Sequence, residues 1–291
     1  MPQLSPELER RLTAAVDRMP AFPKSVQTIL AMTRDSNCLP KQLVGVIEKD
    51  PVMTLRILRV INSAYYALPN KIGSVGQAVV YLGLNTIKNL ALACAAAGAL
   101  PRFHTDFFDS QQYLLHSLAV ASLARLLCEK HTRSEADPGD CYVAGLLHDF
   151  GKVVFAHTMA AEFTLALGIA AQEGKPLYLA EQEVIGADHA FVGALLAKKW
   201  QFGEALVACI RDHHAADVAP QAMLDCLRMA DAICRKQSIG AAGNPWREEE
   251  MAELPTRFGS DLDAVVAGFG DLNKHLAEAQ TFAQIGIGER G

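Results

Sequence analysis

The dipeptide His148-Asp149, within the segment GLLHDFGKVVF, is the part of this sequence that most clearly suggests metal chemistry. An imidazole nitrogen and a carboxylate oxygen both coordinate divalent ions, and mixed sets of the two suit Zn, Fe, Mn and similar metals. Further residues of the same types lie upstream and downstream in four predicted helices: His116, His189, the pair His213-His214, and Asp231. Side chains from several rigid helices can close on one ion or two. The sequence therefore predicts a His/Asp metal site.

Each metal-bound imidazole also needs an acceptor for its second N–H. Asp188 precedes His189 and Asp212 precedes His213, so either carboxylate could orient its neighbour. Adjacent helical residues point about 100° apart, which favours a simpler role for Asp188 as a helix cap. A polar cluster of this kind can also be purely structural, and the sequence leaves that alternative open.

These residues lie in a sequence that reads as helical almost throughout. The predicted helices cover residues 24–34, 40–49, 51–66, 74–82, 84–99, about 110–130, 138–148, 158–173, 176–185, 188–200, 203–214 and 220–237, with a further helix in the closing segment. Asp50-Pro51 is a typical helix start, and Leu82-Gly83-Leu84 a tight interhelical turn. No segment alternates as a half-buried strand does, so the expected fold class is all-α.

The segment from Phe103 to Asp109 interrupts the helical pattern. We predict two packed helical subdomains joined there. The expected boundaries are an N-terminal subdomain over residues 1–102, a second subdomain over 103–240 that carries the metal site, and a loop and closing helix over 241–291.

Composition restricts the class of protein. With 51% hydrophobic residues the chain can bury a substantial core, and its net charge of −5 argues against binding nucleic acid by phosphate neutralisation. The seven cysteines form no C-x-x-C pair and are expected to be buried free thiols in a reducing compartment. No signal peptide or membrane span is evident, so we expect a cytoplasmic protein that does not contact membranes.

The C-terminal half resembles the HD superfamily of metal-dependent phosphohydrolases, whose pattern is His, His-Asp, Asp. The matching residues are His116, His148-Asp149 and Asp231. The extended pattern of cyclic-di-GMP phosphodiesterases adds a His and a His-His pair, which His189, His213 and His214 match in order. The resemblance implies one or two divalent ions of the Fe, Mn or Zn class, and it implies that Lys152 contacts a substrate phosphate.

The match to the phosphodiesterases is incomplete. Their His-His pair is followed by a Glu and a Gly-Tyr-Pro signature, whereas this chain has HHAADVAP. One helical turn before His116, where a carboxylate would face the same ion, the residue is Gln112. An amide is a poor bridging or charge-balancing ligand, so the resemblance implies weak hydrolytic chemistry.

The N-terminal half resembles a more specific group, the HDOD domain, an HD-related output domain of bacterial signalling proteins. The similarity extends from about Met19 to the closing helix. It is carried by Asp50-Pro51, Asn62-Ser63-Ala64, the Ile72–Val75 segment and Leu82-Gly83. It implies a regulatory module that binds signalling partners of unknown identity, with no established hydrolase activity.

Two other functions remain open. One is a metal-dependent phosphohydrolase acting on a nucleotide or cyclic dinucleotide, and the other is DNA binding through Arg56 and Arg59 on a helix-turn-helix-like segment. The second helix of that segment is mostly apolar, which argues against DNA binding. For a protein partner we expect the face around Asn62–Val75, with Tyr65, Tyr66, Pro69 and Lys71, to contribute contacts.

Overall fold

The chain folds into helices, as its periodicity predicts. The computed structural model describes residues 5–21, 24–33, 39–63, 65–66, 68–100, 108–245, 247, 254–259 and 261–286, and these contain no β-strand. The helices are α1 (Pro6–Arg18), α2 (Lys24–Thr33), α3 (Pro40–Glu48), α4 (Pro51–Ile61), α5 (Val75–Leu82), α6 (Leu84–Ala99), α7 (Ser110–Leu127), α8 (Pro138–Leu147), α9 (Phe150–Thr158), α10 (Ala160–Glu173), α11 (Leu177–Val184), α12 (His189–Lys199), α13 (Glu204–Asp212), α14 (Ala222–Lys236), α15 (Leu262–Ala267) and α16 (Leu272–Gly286). The prediction of an all-α fold is confirmed.

Local signals set several helix ends. Asp50 caps α4, because its Oδ1 accepts a hydrogen bond from the backbone N–H of Met53 at 3.1 Å. Gly83 joins α5 to α6 with a φ of +82°, a backbone conformation that favours glycine. Asn62 ends α4, where its amide donates to the carbonyls of Leu58 and Ile72.

The helical assignment from the sequence was wrong in four places. The helix expected over residues 51–66 stops at Ile61, because the Asn62 side chain bonds the backbone there. Helices α1 and α9 were not predicted; α1 begins at a Ser5 cap, and α9 follows α8 so closely that their apolar patterns merge. The closing segment contains α15 and α16 rather than one helix.

Two compact units make up the structure. Unit 1 comprises Met1–Pro20 and Pro101–Leu276, and unit 2 comprises Ala21–Leu100 and Ala277–Gly291. The sequence break expected to join the subdomains falls largely on residues 101–107, outside the described residues, and the predicted boundaries stay predictions. No helix in the described ranges is both long enough and apolar enough to cross a membrane.

Unit 1 is built around α7, α8 and α14, which pack against one another, while α12 packs against α9 and α13. The faces where they meet carry fully buried apolar side chains such as Leu123 on α7, Ala144 on α8 and Leu227 on α14. Burying such side chains is the main stabilising term of a helical core. These are also the helices that carry the predicted metal ligands.

Unit 2 contains α2 to α6. Its core includes Ile29, Leu43, Ile57 and Ile87, each with no exposed surface. Arg56, considered above for DNA contact, donates from Nη1 to the carbonyl oxygen of Cys94 on α6 at 3.1 Å. That side chain is thus bonded within the unit.

Candidate metal centre

All seven predicted ligands lie in unit 1, most of them at helix ends. They are His116 in the middle of α7, His148 at the end of α8, Asp149 at the start of α9, His189 as the first residue of α12, His213 and His214 just after α13, and Asp231 in α14. A helix end can direct a side chain into the space between neighbouring helices. Six elements therefore contribute to a single polar cluster inside an otherwise apolar unit.

Asp149 is the centre of this cluster. Its Oδ1 lies 3.1 Å from Nε2 of His189 and 3.9 Å from Nε2 of His213, and its Oδ2 lies 3.4 Å from Nε2 of His148. Two sets of potential ligand atoms, each mutually within 4.8 Å, share this carboxylate: one with His116 and His148, the other with the three remaining histidines. The geometry can accommodate a metal ion on either side of Asp149.

Asp231 joins the first set through His116. Its Oδ1 lies 3.1 Å from Nε2 of His116 and 3.9 Å from Nε2 of His148. Its Oδ2 accepts a hydrogen bond from Nε of Arg235, one turn along α14, at 2.9 Å. This carboxylate is therefore shared between an imidazole and a guanidinium.

Two imidazoles have a lone pair available at the centre. The Nδ1 atoms of His148 and His213 lie 2.8 and 2.7 Å from the carbonyl oxygens of Gly145 and Ile210. A carbonyl oxygen only accepts, so each Nδ1 must donate, and in the neutral ring Nε2 then carries the lone pair. Both Nε2 atoms are buried without a hydrogen-bond partner. Unsatisfied buried nitrogens facing carboxylates are the arrangement that a metal ion would complete.

His189 is held by a buried carboxylate that the sequence analysis did not identify. Oε2 of Glu181 on α11 lies 2.5 Å from Nδ1 of His189 and accepts the backbone N–H of the same residue at 2.8 Å. Both side chains have no exposed surface. The other ring nitrogen of His189 is thereby directed at Asp149 and at His214, whose Nε2 is 2.9 Å away.

Lys152 is also buried in the cluster. Its Nζ donates to Oδ2 of Asp149 at 2.7 Å and to the carbonyl oxygen of Ala242 at 2.9 Å. Only 1% of the residue is exposed. The contact with substrate phosphate stays a prediction, and the observed contact is an ion pair with the central aspartate.

The buried charges shift the acidities of the site. Burial by itself raises the pKa of Asp149, but His148, Lys152 and His189 outweigh it and hold that pKa well below its usual range. Burial likewise raises the pKa of Asp231, and Arg235 and His116 reverse the shift. Both carboxylates are therefore ionised at neutral pH.

The histidines divide into two kinds. Burial, reinforced by neighbouring imidazoles, lowers the pKa of His213 and His214 well below the usual value, and burial also lowers the pKa of His148. Burial lowers the pKa of His189 too, but Glu181 outweighs it and the pKa rises to about 9. In the metal-free protein three neutral imidazoles thus accompany one imidazolium. Neutral imidazole is the form that binds a metal.

A cavity of about 540 Å³ opens beside this cluster in unit 1. The ring of Tyr178 stacks on His214 at its wall, with centroids 4.5 Å apart and an interplanar angle of 13°. The residues described along the wall are Pro176, Tyr178, Leu179, His213, His214, Ala215, Ala216, Arg228, Asp231, Arg235, Asn244, Arg247 and Leu254. The cavity gives part of the cluster an approach from solvent and places three arginines nearby.

The neighbouring aspartates do not orient the histidines. Asp188 caps α12, accepting the N–H of Phe191 at 2.8 Å, as the sequence favoured. Asp212 pairs with Arg211, whose Nη2 is 2.6 Å from its Oδ2. Backbone carbonyls and Glu181 serve as the acceptors instead. The pairing of Arg235 with Asp231 could have been found in the sequence, because the two are four residues apart on one predicted helix.

The domain that contains most of this cluster is recognisable by comparison with known proteins. The sequence model of the HDOD domain matches residues 19–216, about two thirds of the chain. The chain belongs to the HDOD family. The assignment made from the N-terminal motifs is confirmed.

One solved structure carries the same family name, and two further relatives match part of the sequence. An HDOD domain protein of unknown function from Geobacter sulfurreducens has a similar crystal structure, with a TM-score of 0.77 and 25% identity over 94% of this chain and 99% of that chain. An uncharacterised protein of Treponema pallidum is 26% identical over 215 residues, which are 74% of this chain and 41% of that protein. Ribonuclease Y of Nitratidesulfovibrio vulgaris is 27% identical over 60% of this chain. The matched segment spans only about a quarter of that ribonuclease.

Proposed function

We propose that this chain is a bacterial signalling module of the HDOD type, acting through protein partners, whose HD site binds one divalent ion and hydrolyses phosphodiesters weakly or not at all. The observation that carries this proposal is the internal charge balance of the site. Asp149 and Asp231 are already paired with cations of the same chain, the buried Lys152 at 2.7 Å and the half-buried Arg235 at 2.9 Å.

That balance limits the number of ions. Two buried divalent ions would bring four positive charges, and buried charge is costly unless it is paired. The two ligand carboxylates supply two negative charges, already shared with Lys152 and Arg235, and Gln112 supplies none. By this count one ion among His116, His148, Asp149 and Asp231 adds two uncompensated positive charges and two ions add four, so the charge balance favours a single ion.

The residues present suit one ion in other respects. His148 provides a buried, unpartnered Nε2 with its Nδ1 already held by a carbonyl. A bound divalent ion would supply Lewis acidity and a water of lowered pKa. The protein's own contribution is to fix the imidazoles, exclude bulk water around Asp149 and hold that carboxylate against Lys152. Metal of the Fe, Mn or Zn class fits this donor set.

The partner surface that we propose lies in unit 2, after α4. Pro69, Asn70 and Lys71 are exposed there, and 39% of Tyr65 is accessible. The neighbouring Tyr66 is fixed by a hydrogen bond from its hydroxyl to Glu278 at 3.0 Å. An exposed aromatic side chain beside an exposed cation is typical of a protein interface.

A second candidate function is phosphodiester or nucleotide hydrolysis at the same site. It is favoured by the cavity beside His213, His214 and Asp231, because the arginines in its wall could hold an anionic substrate next to the cluster. Ribonuclease Y, a relative by sequence, is named as a nuclease. The two functions differ in turnover rather than in metal content.

One experiment separates them. Purified protein would be loaded with Mn, Fe or Zn, its metal content measured by elemental analysis, and cyclic dinucleotides, linear nucleotides and RNA assayed for hydrolysis. We expect about one ion per chain in this site and turnover at background. Robust turnover that disappears in Asp149→Ala would establish the hydrolase instead.

The interface has its own test. Once a partner has been isolated, its affinity would be measured for wild type, Lys71→Glu and Tyr66→Ala, with Lys41→Glu as a matched exposed lysine of the same unit. We expect the first two variants to weaken binding and the third to leave it unchanged. Equal affinity in all four proteins would place the interface elsewhere.

A further inference from the structure

A second cluster of metal-binding side chains lies in unit 1, away from the His/Asp site. It consists of Cys128, Cys141 and Cys226, whose sulfur atoms all lie within 4.8 Å of one another. None of the three residues has any exposed surface, and none forms a disulfide. These three free thiols are buried next to one another, and the function proposed above assigns no role to them.

The spacing of the sulfur atoms suits a single ion. Metal–thiolate bonds of about 2.3 Å place three sulfurs around one ion roughly 4 Å apart. The three sulfur atoms here are no more than 4.8 Å apart, so small side-chain rotations would bring Cys128, Cys141 and Cys226 into contact with the same ion. A disulfide, with its bond of about 2.05 Å, would engage only two of them.

The backbone at this cluster is unusual. Helix α7 runs directly into a π-helix over Cys128–Thr132, and π-helices are rare and frequently occur at functional sites. This π-helix contributes one of the thiols and the hydroxyl of Thr132, which lies 3.4 Å from the sulfur of Cys226. Cys128 itself donates to the carbonyl oxygen of Ala136 at 3.3 Å. The cluster is therefore lined by polar contacts rather than by apolar packing alone.

Hydrogen bonding between two of the thiols shifts their pKa values in opposite directions. Cys141 lowers the pKa of Cys226 by hydrogen bonding, burial opposes this, and Thr132 adds to the lowering. The pKa of Cys141 is raised in turn, chiefly by the same bond. The thiolate, not the thiol, is the metal ligand.

The donor set selects a class of metal. In the described part of the chain the cluster contains sulfur only, with no imidazole or carboxylate in the same group. Structural zinc almost always takes four ligands. Three sulfurs leave zinc one ligand short, whereas soft thiolates select Cu(I).

We propose that Cys128, Cys141 and Cys226 form a second metal site, specific for a soft monovalent ion of the Cu(I) class. Binding releases the thiol protons of the coordinating cysteines to solvent and changes no oxidation state. The site does not depend on the function proposed for the His/Asp centre.

The two sites share their helices. Helix α7 carries His116 and leads into Cys128, α8 carries Cys141 and ends at His148, and α14 carries both Cys226 and Asp231. On α14 the two ligands are five residues apart, about 7.5 Å of helix rise. An ion bound by the cysteines would therefore connect the three helices that carry His116, His148 and Asp231. The reduced protein should therefore gain thermal stability on binding Cu(I).

The test is a Cu(I) titration of reduced, metal-free protein without oxygen, in competition with a chromophoric Cu(I) chelator. Cys226→Ser should lose affinity by more than the roughly 10–100-fold that removal of an outer-shell partner costs. Cys234→Ser is the matched control, because Cys234 is also fully buried in α14 but lies outside the cluster. His148→Ala, which alters only the other site, should keep the tight Cu(I) affinity and the thermal shift.

An unchanged competition curve in Cys226→Ser, or an equal loss in Cys234→Ser, would overturn the proposal. Circular dichroism checks that each variant is folded, and Cys128→Ala replaces Cys226→Ser if the serine variant is not. X-ray absorption of the wild-type copper complex is independent of any variant. A first shell of about three sulfurs supports the site, and a shell of imidazole nitrogens contradicts it.

Discussion

Oε2 of Glu181 accepts hydrogen bonds from both the ring Nδ1 and the backbone N–H of His189, at 2.5 and 2.8 Å, in a position with no solvent exposure. One carboxylate oxygen thus fixes the first residue of α12 and sets the direction of its imidazole. His189 in turn approaches Asp149, so an acid outside the ligand set controls how the central carboxylate is contacted.

This pair should make the metal-free protein sensitive to alkaline pH. Glu181 raises the pKa of His189 to about 9 in the folded protein, above its value in the unfolded chain. The resulting stabilisation is fully present below about pH 6.5, the ordinary histidine pKa, and is lost as pH rises through the folded value. Urea unfolding in a chelator should therefore show a falling free energy of unfolding between neutral pH and about pH 10.

Glu181→Gln should weaken that dependence, because a neutral amide does not stabilise the imidazolium. It should also lower the free energy of unfolding at neutral pH by about 1–3 kcal/mol, since buried polar atoms lose a charged partner. Glu183→Gln, on the exposed face of the same helix, is the control. An alkaline decline as steep in Glu181→Gln as in wild type would contradict the assignment.

Substitution of His148 should reduce metal binding much more than it reduces the stability of the metal-free protein. His148→Ala removes a buried Nε2 that bonds nothing in the protein, so we expect it to reduce metal content sharply. Its effect on metal-free stability should be smaller than that of His189→Ala, which leaves Glu181 unpaired. Elemental analysis and thermal unfolding with and without chelator measure both quantities. If His148→Ala retains full metal content, the ion is not bound by this residue.

Much of this organisation could be predicted from the sequence, because its signals are local. Asp50 before Pro51 marks a helix start, Gly83 marks a turn, and the predicted His and Asp ligands are distributed over several helices. Each signal lies within a few residues of the structure it specifies. The metal-site prediction needed only that these helices pack together.

What the sequence could not supply were relationships between helices. Glu181 and His189 are eight residues apart on separate helices, and no periodic pattern links them. The three clustered cysteines are 13 and 85 residues apart along the chain, so nothing in their spacing distinguishes them from Cys209 or Cys234. The break between α8 and α9 was hidden because apolar residues continue on both sides of His148-Asp149.

The ion pair between Lys152 and Asp149 gives a third prediction. Lys152→Met leaves a buried carboxylate without its cation and should cost about 3–5 kcal/mol in the metal-free protein. The double variant with Asp149→Asn should recover part of that loss, because the unpaired charge is gone. Lys175→Met, which removes an exposed ion pair, should change stability little.

Metal addition extends that prediction. If the charge balance limits metal binding, Lys152→Met should bind a divalent ion more tightly than wild type and regain stability on loading with Mn. Isothermal titration of the two proteins compares their affinities. Weaker binding in Lys152→Met would show that the lysine assists the metal site rather than competing with the ion, and would count against the argument for a single ion.

The last prediction concerns how closely α9 and α12 approach at the cluster. A Cβ added to Gly151 would collide with the backbone carbonyl of His189. Gly151→Ala should therefore push the two helix starts apart and lower the free energy of unfolding by about 1–3 kcal/mol, the usual cost of overpacking. Gly168→Ala is the matched control, because that glycine lies inside α10 and a methyl group added there would meet nothing within 4 Å. Alanine at that position should stabilise the helix by about 0.5–1 kcal/mol.

The displacement of the two helix starts in Gly151→Ala also moves His189 away from Asp149. Gly151→Ala should therefore lose metal affinity, while Gly168→Ala keeps it. Denaturant unfolding and metal titration of the two variants test both effects. Wild-type stability and affinity in Gly151→Ala would mean that the helices are not held at this distance.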